Sequence, residues 1–266
     1  MLNFVKMHGA GNDYIYVKTL GQIIENPSEI AKKFSMRRYS VGADGLVLIY
    51  PSKIADAKIR IFNADGSEAK ICGNALRCVA KLLYEDGIIK KSHIKIECQA
   101  GIRDVFLIIK DRKVGLVTVD MGIAVPKDMF LFEVHGEKYE MRAVNIGNDH
   151  QVTFLKDVDA LPLDKIGKSF ESNSRFEDGV NTEFCEILDK NHLKVRVFER
   201  GSGETLACGS GACASAVAAI SLGFCDFESN ILVNMPGGNL IVKCERDYHT
   251  YLSGNAQRVF EGIIPT

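Results

Sequence analysis

The chain has 266 residues and eight cysteines, and its 33 Lys and Arg residues nearly cancel 34 Asp and Glu residues, for a formal net charge of −1. Because no broad basic face is available to follow a phosphate backbone or an anionic membrane, nucleic-acid and membrane partners are excluded and a small-molecule partner is expected. The N-terminal residues lack the apolar run of a secretory signal, and the longest weakly polar stretch, 212–225, is too short to span a bilayer, which predicts a cytoplasmic protein with free thiols.

The predicted elements are mostly short strands separated by turns. In chain order, a helix is predicted at 27–34, with Asn26 as its cap and Pro27 in the first helical position. Alternating apolar residues then predict strands at 46–50, 57–62, 94–98, 105–109, 114–120, 194–198, 231–233, 240–244 and 258–264. Two further helices are predicted directly after the Cys-Gly pairs at 72–73 and 208–209, ending near Gly87 and Gly223.

The sequence contains an internal repeat. The segment 58–73 recurs imperfectly at 194–209, 136 residues later, and the same register places Gly11-Asn12-Asp13 on 147–149. This predicts two copies of one domain: an N-terminal domain at 1–120, to which 256–266 return, and a C-terminal domain at 121–255. The expected fold is α/β, of the α+β type. Each pseudo-symmetric domain wraps a mostly antiparallel sheet around a central helix, and the active site lies in the cleft between the domains.

Each copy delivers one cysteine to the first turn of its helix. The unpaired N–H groups and the helix dipole at that position favour thiolate, so Cys72 and Cys208 are predicted to be the acidic cysteines of the chain. The amides that follow each cysteine are suited to binding an α-carboxylate. Two thiols that present themselves to one ligand from opposite faces can invert a carbon centre without a cofactor, because one removes the α-proton while the other donates.

Other interpretations of these motifs are weaker. The cysteine spacings 72–78 and 208–213 are not those of a zinc site, so no metal is predicted. The glycine-rich run 200–211 does not complete a nucleotide-binding motif. Four charged residues that recur in both copies, Arg60, Glu68, Arg196 and Glu204, are interpreted as scaffolding for the turn before each cysteine.

The positions where the copies differ are more informative about the ligand. Asn63 in the first copy corresponds to Glu199 in the second, and Ala64 corresponds to Arg200. A symmetric scaffold with an asymmetric lining indicates a ligand with one reacting centre and one distinctive distal end. The planar fork of Arg200 suits a second carboxylate. His150 follows the repeated Gly-Asn-Asp, and both a structural and a catalytic role for it stay open.

Six motifs together resemble one known family. They are Met-His-Gly-Ala-Gly-Asn-Asp at 7–13, Phe-Asn-Ala-Asp-Gly-Ser-Glu at 62–68, Cys-Gly-Asn at 72–74, Gly-Val-Asn-Thr-Glu-Phe at 179–184, the run 199–213, and Met-Pro-Gly-Gly at 235–238. In this order they resemble the diaminopimelate epimerase family along nearly the whole chain. The resemblance implies cofactor-independent interconversion of LL- and meso-diaminopimelate, an isomerase step on the bacterial and plant route to lysine, by a homodimer.

The resemblance also implies roles for individual residues. Cys72 and Cys208 are the paired base and acid, assisted by His150 and Glu199. The non-reacting end of the substrate is held by a set of amides and one guanidinium: Asn12, Asn63, Asn148, Asn181 and Arg200. The reacting carboxylate is bound by the backbone amides of Gly73-Asn74 and Gly209-Ser210.

Two positions depart from the usual family pattern, and two alternatives stay open. Asp149 stands where proline is usual, and Ala75 where glycine is commoner; both bear on substrate preference more than on reaction type. The first alternative is a racemase or epimerase on the same scaffold acting on histidine, a proline-like or a lanthionine-like amino acid. The second is a non-catalytic thiol sensor in which Cys72 and Cys208 form a redox-switched pair.

Overall fold

The computed structural model describes residues 1–19 and 22–265, which form two compact units. The first unit comprises Met1–Asp120 and the segment from Gly254 onward, and the second comprises Met121–Ser253. No helix in the described part of the chain is long and apolar enough to cross a membrane.

The elements of the chain are as follows. Residues 2–123 form helices α1 (Pro27–Ser35) and α2 (Gly73–Glu85) and strands β1 (Leu2–Gly9), β2 (Asn12–Lys18), β3 (Gly45–Tyr50), β4 (Ala57–Asn63), β5 (Glu68–Ala69), β6 (His93–Cys98), β7 (Gly101–Lys110) and β8 (Lys113–Ile123). The second unit holds α3 (Leu163–Glu171), α4 (Gly209–Ser221), β9 (Val125–Val134), β10 (Glu137–Asn145), β11 (Asp149–Phe154), β12 (Asn181–Asp189), β13 (His192–Glu199), β14 (Gly203–Thr205), β15 (Asn230–Met235), β16 (Gly238–Cys244) and β17 (His249–Gly254). The last strand is β18 (Gln257–Ile264).

In the first unit the strands pair in the order β18–β1–β2–β3–β4–β6–β7–β8, with β5 also on β4. The pairs β2–β3 and β4–β6 are parallel and the others are antiparallel. Parallel neighbours need a crossover connection, and α1 and α2 supply the two that are required. The last strand of the chain thus pairs antiparallel with the first, from Leu2 opposite Ile264 to His8 opposite Gln257.

The second unit repeats this arrangement. Its strands pair in the order β9–β10–β11–β12–β13–β15–β16, with β14 on β13, and its two parallel pairs, β11–β12 and β13–β15, are connected through α3 and α4. Helices α3 and α4 begin and end 136 residues after α1 and α2. The mixed fold with two repeated, mainly antiparallel sheets confirms the predicted fold class.

Each sheet covers one long helix and carries one short helix on its other face. In α2 every residue from Gly73 to Ala80 is buried, and in α4 the buried run extends from Gly211 to Ile220. On the other face of the first sheet, α1 packs its Ala31 and Phe34 against Ile15 and Leu46. Residues alternate between the two faces of a strand, so one strand serves both cores.

Most predicted elements are confirmed, and one cap is not. The helices after the Cys-Gly pairs are α2 and α4. The charged residues that recur before each cysteine form ion pairs: Arg60 donates two hydrogen bonds to Glu68, and Arg196 Nε donates to Glu204 at 2.8 Å. Asn26 precedes α1, but its side chain makes no capping hydrogen bond, because its backbone is left-handed with φ of 48°. The prediction of a side-chain cap there is wrong.

Candidate active site

The first group of candidate residues surrounds Cys72 and is called here the Cys72 half-site: Asn12, Cys72, Gly73 and Asn74. Cys72 is the N-cap of α2, with an extended backbone (φ −147°, ψ 111°), and its Sγ accepts a hydrogen bond from the amide of Ala75 at 3.5 Å. The sulfur therefore lies over the first turn of the helix, where backbone N–H groups lack helical partners.

Asn12 connects the sulfur to the rest of this half-site. Its Oδ1 accepts from Cys72 Sγ at 3.6 Å and from Asn74 Nδ2 at 3.2 Å, and its Nδ2 donates to Asp44 Oδ2 at 2.9 Å. Asn74 is fixed in turn by the buried Arg77, whose Nη2 donates to Asn74 Oδ1 at 2.8 Å. This network sets the orientation of both amides and directs a carbonyl oxygen at the thiol.

An ion-pair network holds the two aspartates next to Asn12, Asp13 and Asp44. Asp13 contacts Lys6 Nζ at 2.7 Å and Arg37 Nη2 at 2.7 Å, and Arg37 also reaches Asp44 at 2.9 Å. Burial on its own would raise the pKa of Asp13, but the hydrogen bonds from Arg37 and Lys6 outweigh it and lower the pKa. The Asp13 carboxylate next to Asn12 is therefore ionised at neutral pH.

Asn63, also a predicted substrate-binding residue, ends β4. Its Nδ2 donates to Ser67 Oγ at 3.0 Å and its backbone N–H to Ser67 O at 2.8 Å. The described hydrogen bonds of Asn63 thus belong to the turn between β4 and β5 and do not join it to the Cys72 half-site.

The second group is called the Cys208 half-site and contains His150, Glu183, Glu199, Cys208, Gly209 and Ser210. Cys208 is the N-cap of α4 (φ −116°, ψ 117°), and its Sγ accepts from the amide of Gly211 at 3.3 Å and lies 3.4 Å from Ser210 Oγ. Gly209 and Gly211 are buried and glycine leaves the first turn of the helix without side chains. The backbone geometry around Cys208 matches that around Cys72.

Glu199 ends β13, and its Oε1 accepts the hydroxyl hydrogen bond of Thr205. Burial raises the pKa of Glu199, and the hydrogen bonds with Thr205 and Cys208 only partly oppose this effect. A carboxyl group in this environment can exchange a proton with a neighbouring thiol more readily than an exposed carboxylate can.

The pKa of Cys208 lies well above the ordinary thiol range. Burial is the main cause, followed by the negative charges of Glu199 and Glu183, while hydrogen bonds from Ser210 and the Gly211 amide lower it by less. The helix terminus contributes about 0.3–1 kcal/mol, whereas full burial can shift a pKa by about 3–5 units. The prediction that Cys208 is an acidic cysteine is therefore wrong, because burial, together with the charges of Glu199 and Glu183, outweighs the helix dipole.

His150 pairs with a residue that the sequence analysis missed. His150 Nδ1 lies 2.7 Å from Glu183 Oε1, and both side chains are fully buried. Glu183 lies on β12, and the corresponding position in the first copy of the repeat is Val47 on β3. An acidic residue that replaces valine inside a buried strand is the signal that would have identified it.

Three of the residues predicted for the distal end of the substrate lie in the second unit: Asn148 on the loop after β10, Asn181 at the start of β12, and Arg200 directly after β13. Arg200 is exposed; its backbone N–H donates to Asn181 Oδ1 at 2.8 Å and its Nη1 to Asp178 O at 3.3 Å. Asn148 is half-buried and precedes Asp149, which accepts from Asn145 Nδ2 at 2.7 Å. Asn181 thus positions the backbone that carries the guanidinium.

The Asp149 carboxylate also contacts Lys127 Nζ at 3.3 Å. Burial would raise the pKa of Asp149, but the hydrogen bonds from Asn145 and Lys127 outweigh it and the net direction is down. This carboxylate is therefore ionised and already paired with a cation.

Comparisons with known proteins agree on one family. The diaminopimelate epimerase family model matches residues 4–126 and 142–259. The diaminopimelate epimerase of Acetivibrio thermocellus is 46% identical over 277 residues, covering 99% of this chain and 98% of the relative. That of Methanococcus maripaludis is also 46% identical, over 278 residues, with 99% of both chains covered.

Solved structures with much lower sequence identity share the fold. A probable proline racemase from Agrobacterium radiobacter has a TM-score of 0.78 at 14% identity, covering 100% of this chain and 93% of that one. A hydroxyproline epimerase from Agrobacterium vitis has a TM-score of 0.75 at 15% identity, with 98% and 91% covered. Since the family model spans most of the sequence and relatives of 46% identity cover nearly all of it, the chain belongs to the diaminopimelate epimerase family.

Proposed function

We propose that this protein is an isomerase that converts LL-diaminopimelate to meso-diaminopimelate without pyridoxal phosphate, supplying precursors of lysine and peptidoglycan. The observation that carries the proposal is the pair of N-cap cysteines, Cys72 and Cys208. Each lies at the same place in one copy of a repeated unit, with its sulfur on the first amides of a buried helix. Membership of the epimerase family supports the substrate.

In the proposed mechanism both thiols act on the same α-carbon. Because Cys208 is held protonated, it is the proton donor in the resting state, and Cys72 as thiolate is the base. The Cα–H bond breaks with its proton passing to Cys72 Sγ, and a new Cα–H bond forms on the other face with the proton of Cys208 Sγ. The enzyme is left as Cys72 thiol and Cys208 thiolate, and proton exchange with solvent restores the starting state.

The helix ends are proposed to stabilise the intermediate carbanion. The α-proton of an amino acid is very weakly acidic, so the carboxylate that accepts the developing charge needs preorganised donors. The first-turn amides, at Gly73-Asn74 and Gly209-Ser210, are proposed to bind that carboxylate. His150 and Glu199 are proposed to carry protons to and from Cys208, and Asn12 to orient the Cys72 thiol.

Recognition of the second amino-acid group is proposed to use Arg200 together with the asparagines Asn63, Asn148 and Asn181. Arg200 is exposed and its fork can receive a carboxylate in two parallel hydrogen bonds. Asn181 supports this role by holding the Arg200 backbone. A cytoplasmic homodimer without a metal remains our prediction, from the charge balance and the family resemblance.

The test is epimerisation in deuterated water, followed by NMR at the α-carbon, with LL-diaminopimelate, lanthionine, histidine, proline and hydroxyproline as substrates. We expect inversion with deuterium uptake for LL-diaminopimelate and at least 100-fold lower kcat/KM for the monocarboxylic amino acids. Arg200→Lys keeps the charge but loses the fork, so it should reduce kcat/KM for diaminopimelate by about 100-fold, which corresponds to about 3 kcal/mol.

Two results would contradict the proposal. If wild-type protein prefers a monocarboxylic amino acid, the function is that of a racemase on the same scaffold. If no substrate exchanges its α-proton and the thiols cycle reversibly with oxidant and dithiothreitol, the thiol-sensor interpretation is favoured instead.

A further inference from the structure

Glu183 and His150 form a buried pair on one face of two neighbouring strands. In the parallel pair β11–β12, His150 is opposite Asn181 and Val152 is opposite Glu183, so both side chains of the pair project to the same face of the sheet. Their contact is direct, 2.7 Å from Nδ1 to Oε1, and neither side chain is exposed. An imidazole and a carboxylate in this arrangement hold each other in one orientation.

The opposite face of the same strands shows what a purely structural polar cluster looks like here. Gln151 Nε2 donates to Phe170 O and to Thr182 Oγ1, both at 2.9 Å, and Gln151 Oε1 accepts from Asn173 Nδ2 at 2.9 Å. Every polar atom of the Gln151 side chain is thereby in a hydrogen bond. The structural role of this cluster is complete within the protein.

The pair of His150 and Glu183 is not complete in this sense. His150 Nε2 and Glu183 Oε2 are buried and have no hydrogen-bond partner among the described residues. A buried polar atom without a partner is destabilising, so two of them in one pair need an explanation. A proton acceptor that is used only during the reaction provides one.

Glu183 and Cys208 both lie next to Gly211. A methyl group at Gly211 would come within 2.7 Å of Glu183 Oε1 and within 3.3 Å of Cys208 Sγ. The carboxylate and the thiol therefore line the same small space at the start of α4. The first unit has Ala75 at the position of Gly211, and Val47 at that of Glu183, so this close approach exists only in the second unit.

We propose that Glu183 is a positioning residue for proton transfer at Cys208: it holds His150 as the Nδ1–H tautomer with an unprotonated Nε2, the form in which the imidazole can accept a proton during the reaction. The inference rests on the proposed function of Cys208. The mechanism is that of a carboxylate that orients a catalytic imidazole, in which the hydrogen bond at one ring nitrogen decides which form the other nitrogen takes.

Other titratable groups influence the same space and must be considered in any pH profile. The groups on the elements packed around this pair are Glu199 on β13, Cys208 at the start of α4, Asp149 on β11 and Cys185 on β12. Glu199 and Glu183 itself both raise the pKa of Cys208 through their charge. Replacing Glu183 with glutamine removes one of the two charges and leaves the shape of the side chain almost unchanged.

The first measurement needs no variant. Nitrogen-15 NMR of the wild-type histidines, with the His150 signals assigned from their loss in His150→Gln, reports which ring nitrogen carries the proton. We expect the proton on Nδ1 and a bare Nε2. A proton on Nε2 in the resting enzyme overturns the proposal.

The second measurement compares Glu183→Gln with Glu186→Gln. Glu186 lies on the same strand, and its carboxylate accepts a backbone hydrogen bond from Val158, away from Cys208. For Glu183→Gln we expect kcat to fall on the order of 100-fold with KM changed less than threefold. In the pH profile of kcat, the limb that reports the ionisation of Cys208 should move to lower pH. Glu186→Gln should keep the wild-type kcat and pH profile. A Glu183→Gln variant with wild-type kcat and an unmoved limb would refute the positioning role.

Two outcomes separate this inference from the proposed function. If wild-type protein does not epimerise diaminopimelate, the proposed function has failed. If the wild type is active and Glu183→Gln loses activity only because it unfolds, Glu183→Asp takes its place in the test. A folded aspartate variant with partial activity supports positioning. A folded aspartate variant that is as inactive as His150→Gln, although its His150 keeps the wild-type tautomer, contradicts it.

Discussion

The two half-sites share a backbone but differ in chemistry. Around Cys72 the described neighbours of the sulfur include two neutral amides, Asn12 and Asn74. The nearby ion pair of Asp44 contacts Asn12. Around Cys208 two acids act on the sulfur, Glu199 and Glu183, and Glu183 in turn contacts the imidazole of His150. The same N-cap geometry therefore presents one thiol among amides and one thiol among carboxylates, so the duplicated backbone alone does not decide the protonation of a cysteine.

The repeat register shows how this difference arose within one scaffold. Four positions around the second cysteine have replaced their counterparts around the first: His150 for Tyr14, Glu183 for Val47, Glu199 for Asn63, and Gly211 for Ala75. Two of the changes add a carboxyl group, one exchanges a phenol for an imidazole, and the fourth removes the methyl group that would collide with Glu183. The two cysteines therefore have different chemical surroundings although the helices and strands of the two copies correspond.

The largest expected effect comes from removing either sulfur. Cys72→Ala and Cys208→Ala should each lower kcat for epimerisation by about 10³-fold or more, because inversion needs a proton-transfer group on each face. The matched controls are Cys78→Ala and Cys213→Ala, two buried cysteines inside the same helices, which should lose stability but retain kcat. Wild-type activity in either N-cap variant would contradict the two-thiol mechanism.

A smaller effect is expected from exchanging the residue that differs at the first turn of the two helices. Gly211→Ala places a methyl group 2.7 Å from Glu183 Oε1 and 3.2 Å from Cys208 Cβ, so we expect a loss of about 1–3 kcal/mol in the free energy of unfolding and a kcat at least tenfold lower.

The reciprocal change, Ala75→Gly, should cost about 1 kcal/mol of stability with kcat retained, because it adds no atoms near Cys72. Thermal unfolding and steady-state kinetics measure both variants. Equal loss of kcat in the two would mean that the half-sites are packed alike.

The third prediction concerns the charge around Cys208. Glu199→Gln removes one of the two carboxylates that raise the pKa of Cys208, so that pKa should fall and the iodoacetamide reaction of Cys208 should begin at lower pH. Peptide mapping follows both cysteines in one sample, and the profile of Cys72 serves as the internal control. If both profiles move together, or that of Cys208 moves up, the charge of Glu199 is not what distinguishes the thiols.

The smallest effect concerns the paired aspartates at 13 and 149. Asp13 has two cationic partners, and its side chain is only 15% exposed, so Asp13→Asn should lower the free energy of unfolding at pH 7 by about 2 kcal/mol. Asp149 is 41% exposed and has one lysine partner, so Asp149→Asn should cost less than about 1 kcal/mol.

The pH dependence checks the sign of this prediction. The pKa of Asp13 is lower in the folded state than its usual 3.8, so its contribution is present above that value and is lost as pH falls through the folded pKa. Denaturant unfolding of wild type and Asp13→Asn should therefore converge in acid. Curves that stay parallel down to the lowest pH at which the protein folds would show that the effect is not electrostatic.

The parts of the fold that the sequence predicts well are the ones with local signals. Helices α2 and α4 follow from the repeated Cys-Gly pairs and from the glycines that stop them, which adopt positive φ values of 72° at Gly87 and 81° at Gly223. The helix α3 was not predicted because Gly167 weakens its helical pattern. That glycine is explained only by packing, since a methyl group there would collide with the Phe198 ring at 2.1 Å.

The strands β9 and β10 were also missed, because their exposed faces carry charged residues. In the candidate site, the sequence predicts the position of both N-cap cysteines but not the electrostatics of the second. Glu183 comes from a strand 33 residues away from its partner His150, and only the folded unit brings the two side chains together. Contacts of this kind have no local sequence signal beyond an acid in a buried strand.

The pairing of β18 with β1 has a consequence for truncated forms of the protein. Residues 2–8 of β1 have β2 on one side and find their second neighbour only in residues 257–264. Without β18, the first unit exposes an open sheet edge, which can attract other strands. A chain cut before β18 would keep both cysteines, yet we expect it to aggregate through this edge.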